Sequence, residues 1–268
     1  MAPPGGWLVN AAPWRWTGAR FVCHCLLVET ADGLVLVDSA LGLDDVRDPD
    51  GRLGRDFTLL IAPRLRAEDT AVRRIEALGF SREDVRHVVL THLDLDHAGG
   101  LPDFPNATVH VTWDELQAAL ARRTLLERRR YRPAHLAHGP RFRTYSAEGE
   151  RWNDFDCVRG LDGLPPEILL VPLHGHTRGH AAVAVDTGRG WLLHAGDAYF
   201  FHEEMNPERP RCTPGLSLFQ SIVEIDRSAR LRNQERLRAL VRAHRADVTV
   251  FSAHDPTEMA RLAAAPAG

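Results

Sequence analysis

The chain has 268 residues, 44% of them hydrophobic and 26% charged, with a formal net charge of −3. This is the composition of an ordinary globular protein, with no overall field to draw it onto nucleic acid or anionic lipid. All 33 basic residues are arginine, which excludes Schiff-base, pyridoxal-phosphate and P-loop lysine chemistry.

The N-terminal MAPPGGWLVNAAPWRW has no basic start followed by an apolar stretch, and no apolar run is long enough to span a bilayer. The expected location is the cytoplasm, with no membrane partner. VCHCLLVET (22–30) and GLVLVD (33–38) read as neighbouring strands joined by a turn. Period two then turns Cys23 and Cys25 one way and His24 the other, so buried thiols are the preferred reading over a metal site. With Cys157 and Cys212 they are too few for a disulfide scaffold. RAEDTAVRRIEALGF (66–80) reads as a helix, with Val72, Ile75 and Leu78 on one face and Gly79 where a terminating glycine belongs. Ser81 to Asp84 resembles a capping box. RHVVL (86–90) and ATVHVT (107–112) are strands, and WDELQAALARRTLLERRR (113–130) is helical. Residues 128–165 are rich in Arg, Pro, Gly and Tyr and weakly periodic. They read as an excursion from the core that lines or covers a site. EILLVPL (167–173), AAVAVD (181–186), WLLHAGD (191–197) and DVTVFS (247–252) are strands, and residues 226–244 form an amphipathic helix. Strands dominate each half and helices cover them. This predicts an α/β fold, a four-layer αββα sandwich, as one domain over residues 1–268.

Candidate metal donors cluster just past the C-terminal ends of four apolar strands. His92, Asp94, Asp96 and His97 follow VVL; His174, His176 and His180 follow LLVPL; Asp197 follows WLLHAG; His254 and Asp255 follow VTVFSA. Layered α/β proteins gather ligands at such ends, where loops converge on a rigid sheet. Imidazole nitrogen and carboxylate oxygen without thiolate suit zinc, iron, manganese or cobalt. Gly99 and Gly100 let the chain turn tightly behind the first cluster.

In these motifs the sequence resembles the metallo-β-lactamase superfamily. That family's H-x-H-x-D-H stands here as His92-Leu-Asp94-Leu-Asp96-His97, its G-H-T-x-G-H as residues 175–180, its bridging aspartate as Asp197 in HAGDAYF and its last histidine as His254. The resemblance runs from VLVDSALG (35–42) to SAHDP (252–256). It implies two divalent metal ions, zinc first: one held by His92, His176 and whatever Asp94 supplies, the second by Asp96, His97 and His254, with Asp197 bridging. It further implies a hydroxide nucleophile between the ions, with Asp96 shuttling a proton to the leaving group.

The second motif residue is histidine in most relatives and Asp94 here. Two divalent ions against Asp96, Asp197 and hydroxide leave one formal positive charge, and Asp94 cancels it. A neutral site favours harder ions, so iron or manganese stands as the alternative metal. The flavodiiron oxygen reductases, distant members of the superfamily, carry a carboxylate at this position.

His174, His180 and His194 read as packed or supporting histidines, and Asp38 as a hydrogen-bonding support for the site. Arg122, Arg123, Arg128, Arg129, Arg130 and Arg132 read as a solvated helix face partnered by Asp114, Glu115 and Glu127, in preference to a nucleic-acid surface. In the N-acyl homoserine lactonases a tyrosine three residues after the bridging aspartate orients substrate. Here that position is Phe200, and Tyr199 is the catalytic candidate beside Asp96 and Asp197. The expected activity is hydrolysis of a small carbonyl ester, lactone or thioester. The alternatives are an iron-dependent oxidoreductase of the flavodiiron or persulfide-dioxygenase type and a phosphodiesterase or nuclease. The expected partner is a small-molecule substrate.

Overall fold

Val35, Leu36, Val37, Val88 and Val89 are all buried, on both faces of their strands, as inner strands of a sheet covered on both sides are. A computed structural model describes residues 1–3, 9, 19–146 and 148–264. The chain divides into two compact units, Cys25–Ser146 and Met1–His24 with Ala147–Gly268.

In the first unit β1 (Leu26–Thr30), β2 (Gly33–Val37), β3 (Val85–Val89), β4 (Thr108–Thr112) and β5 (Arg141–Tyr145) form a five-stranded sheet in sequential order. β1 and β2 are an antiparallel hairpin, and the remaining pairs are parallel. Its helices are α1 (Leu43–Arg47), α2 (Pro49–Arg52), α3 (Arg55–Ile61), α4 (Ala71–Ala77), α5 (Leu95–Ala98), α6 (Trp113–Ala121), α7 (Leu125–Arg130) and α8 (Pro133–Leu136). Val72 and Ile75 of α4 and Leu116 and Ala119 of α6 pack with Leu34, Leu36, Val88 and Val109 in one core.

The second unit carries β6 (Glu150–Trp152), β7 (Phe155–Gly160), β8 (Ile168–Pro172), β9 (Ala181–Asp186), β10 (Trp191–His194) and β11 (Val248–Phe251). Their order is β11-β10-β9-β8-β7-β6, antiparallel except for β10 and β11. Leu237 and Leu240 of α10 (Arg227–Ala243) pack with Ala182, Ala184, Leu193 and Val250. α9 (Pro214–Val223) and α11 (Pro256–Ala263) each begin with proline behind a capping residue, Thr213 and Asp255, as helix starts favour. Among the described residues no helix is long and apolar enough to cross a membrane.

Four local expectations need correction. The helix expected over 66–80 is confined to Ala71–Ala77, and Leu78, expected beside Val72 and Ile75, is exposed. The helix expected over 113–130 is two helices. Arg122 adopts φ +44°, and Thr124 starts α7 with a capping box in which its hydroxyl accepts from Glu127 N (3.1 Å) and Glu127 Oε2 accepts from Thr124 N (2.9 Å). The stretch 128–165 is no excursion: it holds α8, β5, β6 and β7. β5 and β6 are edge strands, and solvent-facing residues such as Arg141 and Arg143 dilute their apolar pattern. Residues 22–24 precede the strand, which begins at Leu26. Val22 N and His24 N instead donate to the carbonyls of His254 (3.3 Å) and Ala253 (2.8 Å), and Cys23 and Cys25 are half-buried.

Candidate metal centre

The first donor cluster is organised by Asp38, which ends β2 with φ +55°, a left-handed conformation that aspartate tolerates better than most residues. Its carboxylate accepts from Thr91 N, Thr91 Oγ1 and His97 Nδ1, each at 2.8 Å. The Thr91 hydroxyl, having given its proton to Asp38, can only accept from His92 Nδ1, 2.9 Å away. Both imidazoles therefore carry their proton on Nδ1 and present the Nε2 lone pair, the form that binds a cation. The two rings lie 4.0 Å apart between centroids. The single turn of α5 gathers the rest of the cluster: Asp94 is its N-cap, and Asp94 O accepts from His97 N and Ala98 N. Asp94 Oδ2 lies 3.5 Å from His92 Nε2. Asp96 is partly exposed. Behind this turn a Cβ on Gly100 would collide with the Ser39 backbone, so glycine is required by close approach.

The second unit holds the other donors. Gly175 has φ +139°, and a Cβ there would run into the backbone of Arg230. His180 donates from Nδ1 to Leu173 O (2.9 Å) and accepts at Nε2 from Asp197 N (2.9 Å), which ties the Asp197 backbone to the segment between β8 and β9. His254 donates from Nδ1 to Val22 O (2.7 Å) and turns Nε2 to within 3.1 Å of Asp197 Oδ1. His176 Nε2 lies 3.4 Å from Asp197 Oδ2. One carboxylate thus faces a different imidazole with each oxygen. Phe200 stacks on His254, centroids 5.4 Å apart and planes at 15°. His194 is packed, as expected, with Nε2 on His24 O at 2.5 Å and Nδ1 accepting from Gly196 N at 3.2 Å.

Imidazole tautomers fixed by their supports and the carboxylates beside them fit divalent zinc, iron or manganese, and Cys23 Sγ also lies within 4.8 Å of a ring nitrogen of His254.

Tyr199 does not stand where a catalytic residue should. It is fully buried and donates its hydroxyl to Glu258 Oε1 (2.9 Å), whose other oxygen accepts from Ser252 N (2.7 Å). Burial pushes the Glu258 carboxyl up to about 7 and the Tyr199 phenol well above its ordinary range. The basic run also differs from expectation. Glu115 accepts from Leu93 N (2.9 Å) and Glu127 serves its helix cap, while Arg129 and Arg132 lean on Asp56. Arg130 points inward and meets Asp94: Nη1 lies 3.5 Å from Asp94 Oδ1. The capping box at Thr124–Glu127 is the sequence signal that could have shown a new helix, with a new inward face, starting before it.

The metallo-β-lactamase superfamily profile matches residues 18–244. A probable metallo-hydrolase of Mycobacterium tuberculosis is 45% identical over 248 residues, spanning 92% of this chain and 79% of the relative. An N-acyl homoserine lactonase of Rhizobium radiobacter is 29% identical, spanning 90% of this chain and 84% of that one. Among solved structures, an N-acyl homoserine lactone hydrolase with N-hexanoyl-L-homoserine at its catalytic metal centre superimposes with a TM-score of 0.70 at 22% identity, over 97% of this chain and 92% of that one. The chain belongs to the metallo-β-lactamase superfamily and has its fold. Within that superfamily it is a metallo-hydrolase.

Proposed function

We propose that the chain hydrolyses a small carboxylic ester, lactone or thioester, a lactone first, with two divalent ions held by His92, Asp94, Asp96, His97, His176, Asp197 and His254. The observation that carries this reading is Asp197, whose two oxygens face His176 and His254 separately, as a carboxylate shared by two cations must. When bound, the ions supply Lewis acidity and bring the pKa of water near neutrality. The chain's own residues supply orientation and proton transfer. Asp38 and Thr91 hold His92 and His97 in the Nδ1-protonated tautomer, and Val22 O does the same for His254. Asp96, partly exposed, carries a proton to the leaving alkoxide. Tyr199 enters as a packing residue. Phe200, three residues past Asp197, offers no hydroxyl, so acyl homoserine lactones are one member of the substrate panel. Zinc is the proposed metal: Arg130 beside Asp94 offsets the charge that argued for iron.

The test is to purify the protein without added metal and measure metal identity and stoichiometry. Lactones, esters, thioesters, phosphodiesters and β-lactams are then assayed with the wild type and Asp197→Ala. Two zinc ions per chain and lactone or ester turnover lost in the variant are expected. Iron with oxygen uptake and no hydrolysis would overturn the proposal.

A further inference from the structure

We infer that Arg130 is the resident counter-ion of Asp94. The two together stand where the superfamily pattern has one neutral histidine, and the pair sets how tightly a divalent ion is held beside His92, and which one. The inference rests on the metal-centre reading above. Asp94 and Arg130 are 8% and 6% exposed, and their charged groups are 3.5 Å apart. A guanidinium stays protonated at any working pH, and a buried one persists only where a carboxylate meets it.

Arg130 is no swinging surface arm. It is the last residue of α7, whose register is fixed by the Thr124–Glu127 capping box. The next residue, Tyr131, is 2% exposed and donates its backbone N–H to Glu127 O at 2.9 Å. Arg130 is the buried member of a run whose Arg123, Arg128 and Arg129 are exposed.

The arrangement divides Asp94 between two neighbours, Oδ1 toward Arg130 and Oδ2 toward His92 Nε2. A carboxylate shared with a guanidinium is a weaker and less charged donor than a bare one. The pair sums to zero formal charge, as a neutral imidazole does. Position 94 therefore differs from the family pattern in its atoms and not in its charge. Replacing Asp94 alone by histidine would take away the carboxylate that Arg130 faces and raise the positive charge beside a divalent ion. Replacing Arg130 alone would take the guanidinium away from Asp94 Oδ1 and leave the carboxylate more negative toward a cation. Changing both would recreate the commoner arrangement.

The test is a double-mutant cycle on metal-free full-length protein, with zinc and manganese affinities each read by competition against a chromophoric chelator. Asp94→His is expected to lower zinc affinity at least ~10-fold. Arg130→Met is expected to raise affinity by about 10-fold, more for manganese than for zinc. The double variant, a neutral histidine with no guanidinium beside it, is expected to bind at least as tightly as Arg130→Met, about 10-fold tighter than the two single effects give if independent, because Asp94→His is penalised only while Arg130 faces it. Arg130→Lys keeps the charge, so it should hold affinity within about 3-fold of wild type, which covers the case in which Arg130→Met does not fold without metal. Affinities unchanged in Arg130→Met, a double variant at the additive value near wild type, or an Arg130→Lys that behaves like Arg130→Met would each overturn the inference. Wild-type protein that takes up neither ion would overturn the metal-centre reading instead.

Discussion

Asp38→Asn separates charge from shape at the support of the first donor cluster. Asparagine accepts the left-handed backbone that φ +55° demands, so the chain path is preserved. What changes is hydrogen bonding: the carboxylate accepts from three donors at 2.8 Å, and an amide nitrogen can accept from none of them. Hydrogen bonds to a charged group are worth about 1.5–3 kcal/mol each, and a buried donor left unmet costs a similar amount. Losing one charge-assisted bond at this 2% exposed position and stranding its donor should cost about 3 kcal/mol. For a protein of this size that corresponds to a fall in Tm of roughly 6–12 °C. The oxygen that still faces His97 is then a neutral amide oxygen, which holds the Nδ1-protonated imidazole less firmly than the carboxylate does, so metal affinity should fall about 10-fold. Thermal unfolding of metal-free protein reads the first effect, and chelator competition reads the second. A variant whose Tm stays within about 2 °C of wild type, with unchanged metal affinity, would refute the reasoning.

Two further expectations follow from the buried polar groups. His110 is fully buried, between His87 and Tyr145, and burial, with the nearby His87 and Arg143 charges, lowers its pKa from 6.5 to about 3. Its neutral form is favoured in the fold while the unfolded chain takes up the proton. That contribution is complete above pH 6.5 and is lost as pH falls toward 3, about 2–3 kcal/mol of it by pH 4.5. Urea midpoints across this range should fall less steeply in His110→Gln. Tyr199→Phe removes one buried hydrogen bond to Glu258, so it should cost about 1 kcal/mol in urea unfolding. Its kcat/KM should stay within about 3-fold of wild type; a drop of about 100-fold would return Tyr199 to the catalytic set.

The donor residues were legible because each cluster follows a strand that shows as a mostly apolar run: Val88–Leu90 before His92, Ile168–Leu173 before His176, Val248–Phe251, broken only by Thr249, before His254. Asp38 was legible for the same reason, at the end of β2. What escaped was direction. The arginines between 122 and 132 look alike along the chain, and only the break at Arg122–Thr124 decides that Arg130 turns inward. Tyr199 escaped because a position two residues past Asp197 says nothing about which side of the chain its phenol leaves. The 128–165 stretch escaped because edge strands such as β5, with Phe142 and Tyr145 set among Arg141 and Arg143, carry too few apolar residues to stand out.

The carbonyl that sets the tautomer of His254 belongs to Val22, 232 residues earlier. During synthesis the acceptor emerges long before its imidazole exists. This contact spans most of the polypeptide, and pairings of such separation form late because loop closure must come first. The imidazole lone pair at position 254 is therefore aimed only after the opening segment has docked. Trimming either end of the chain would blunt the same nitrogen, one by removing it and the other by letting it turn.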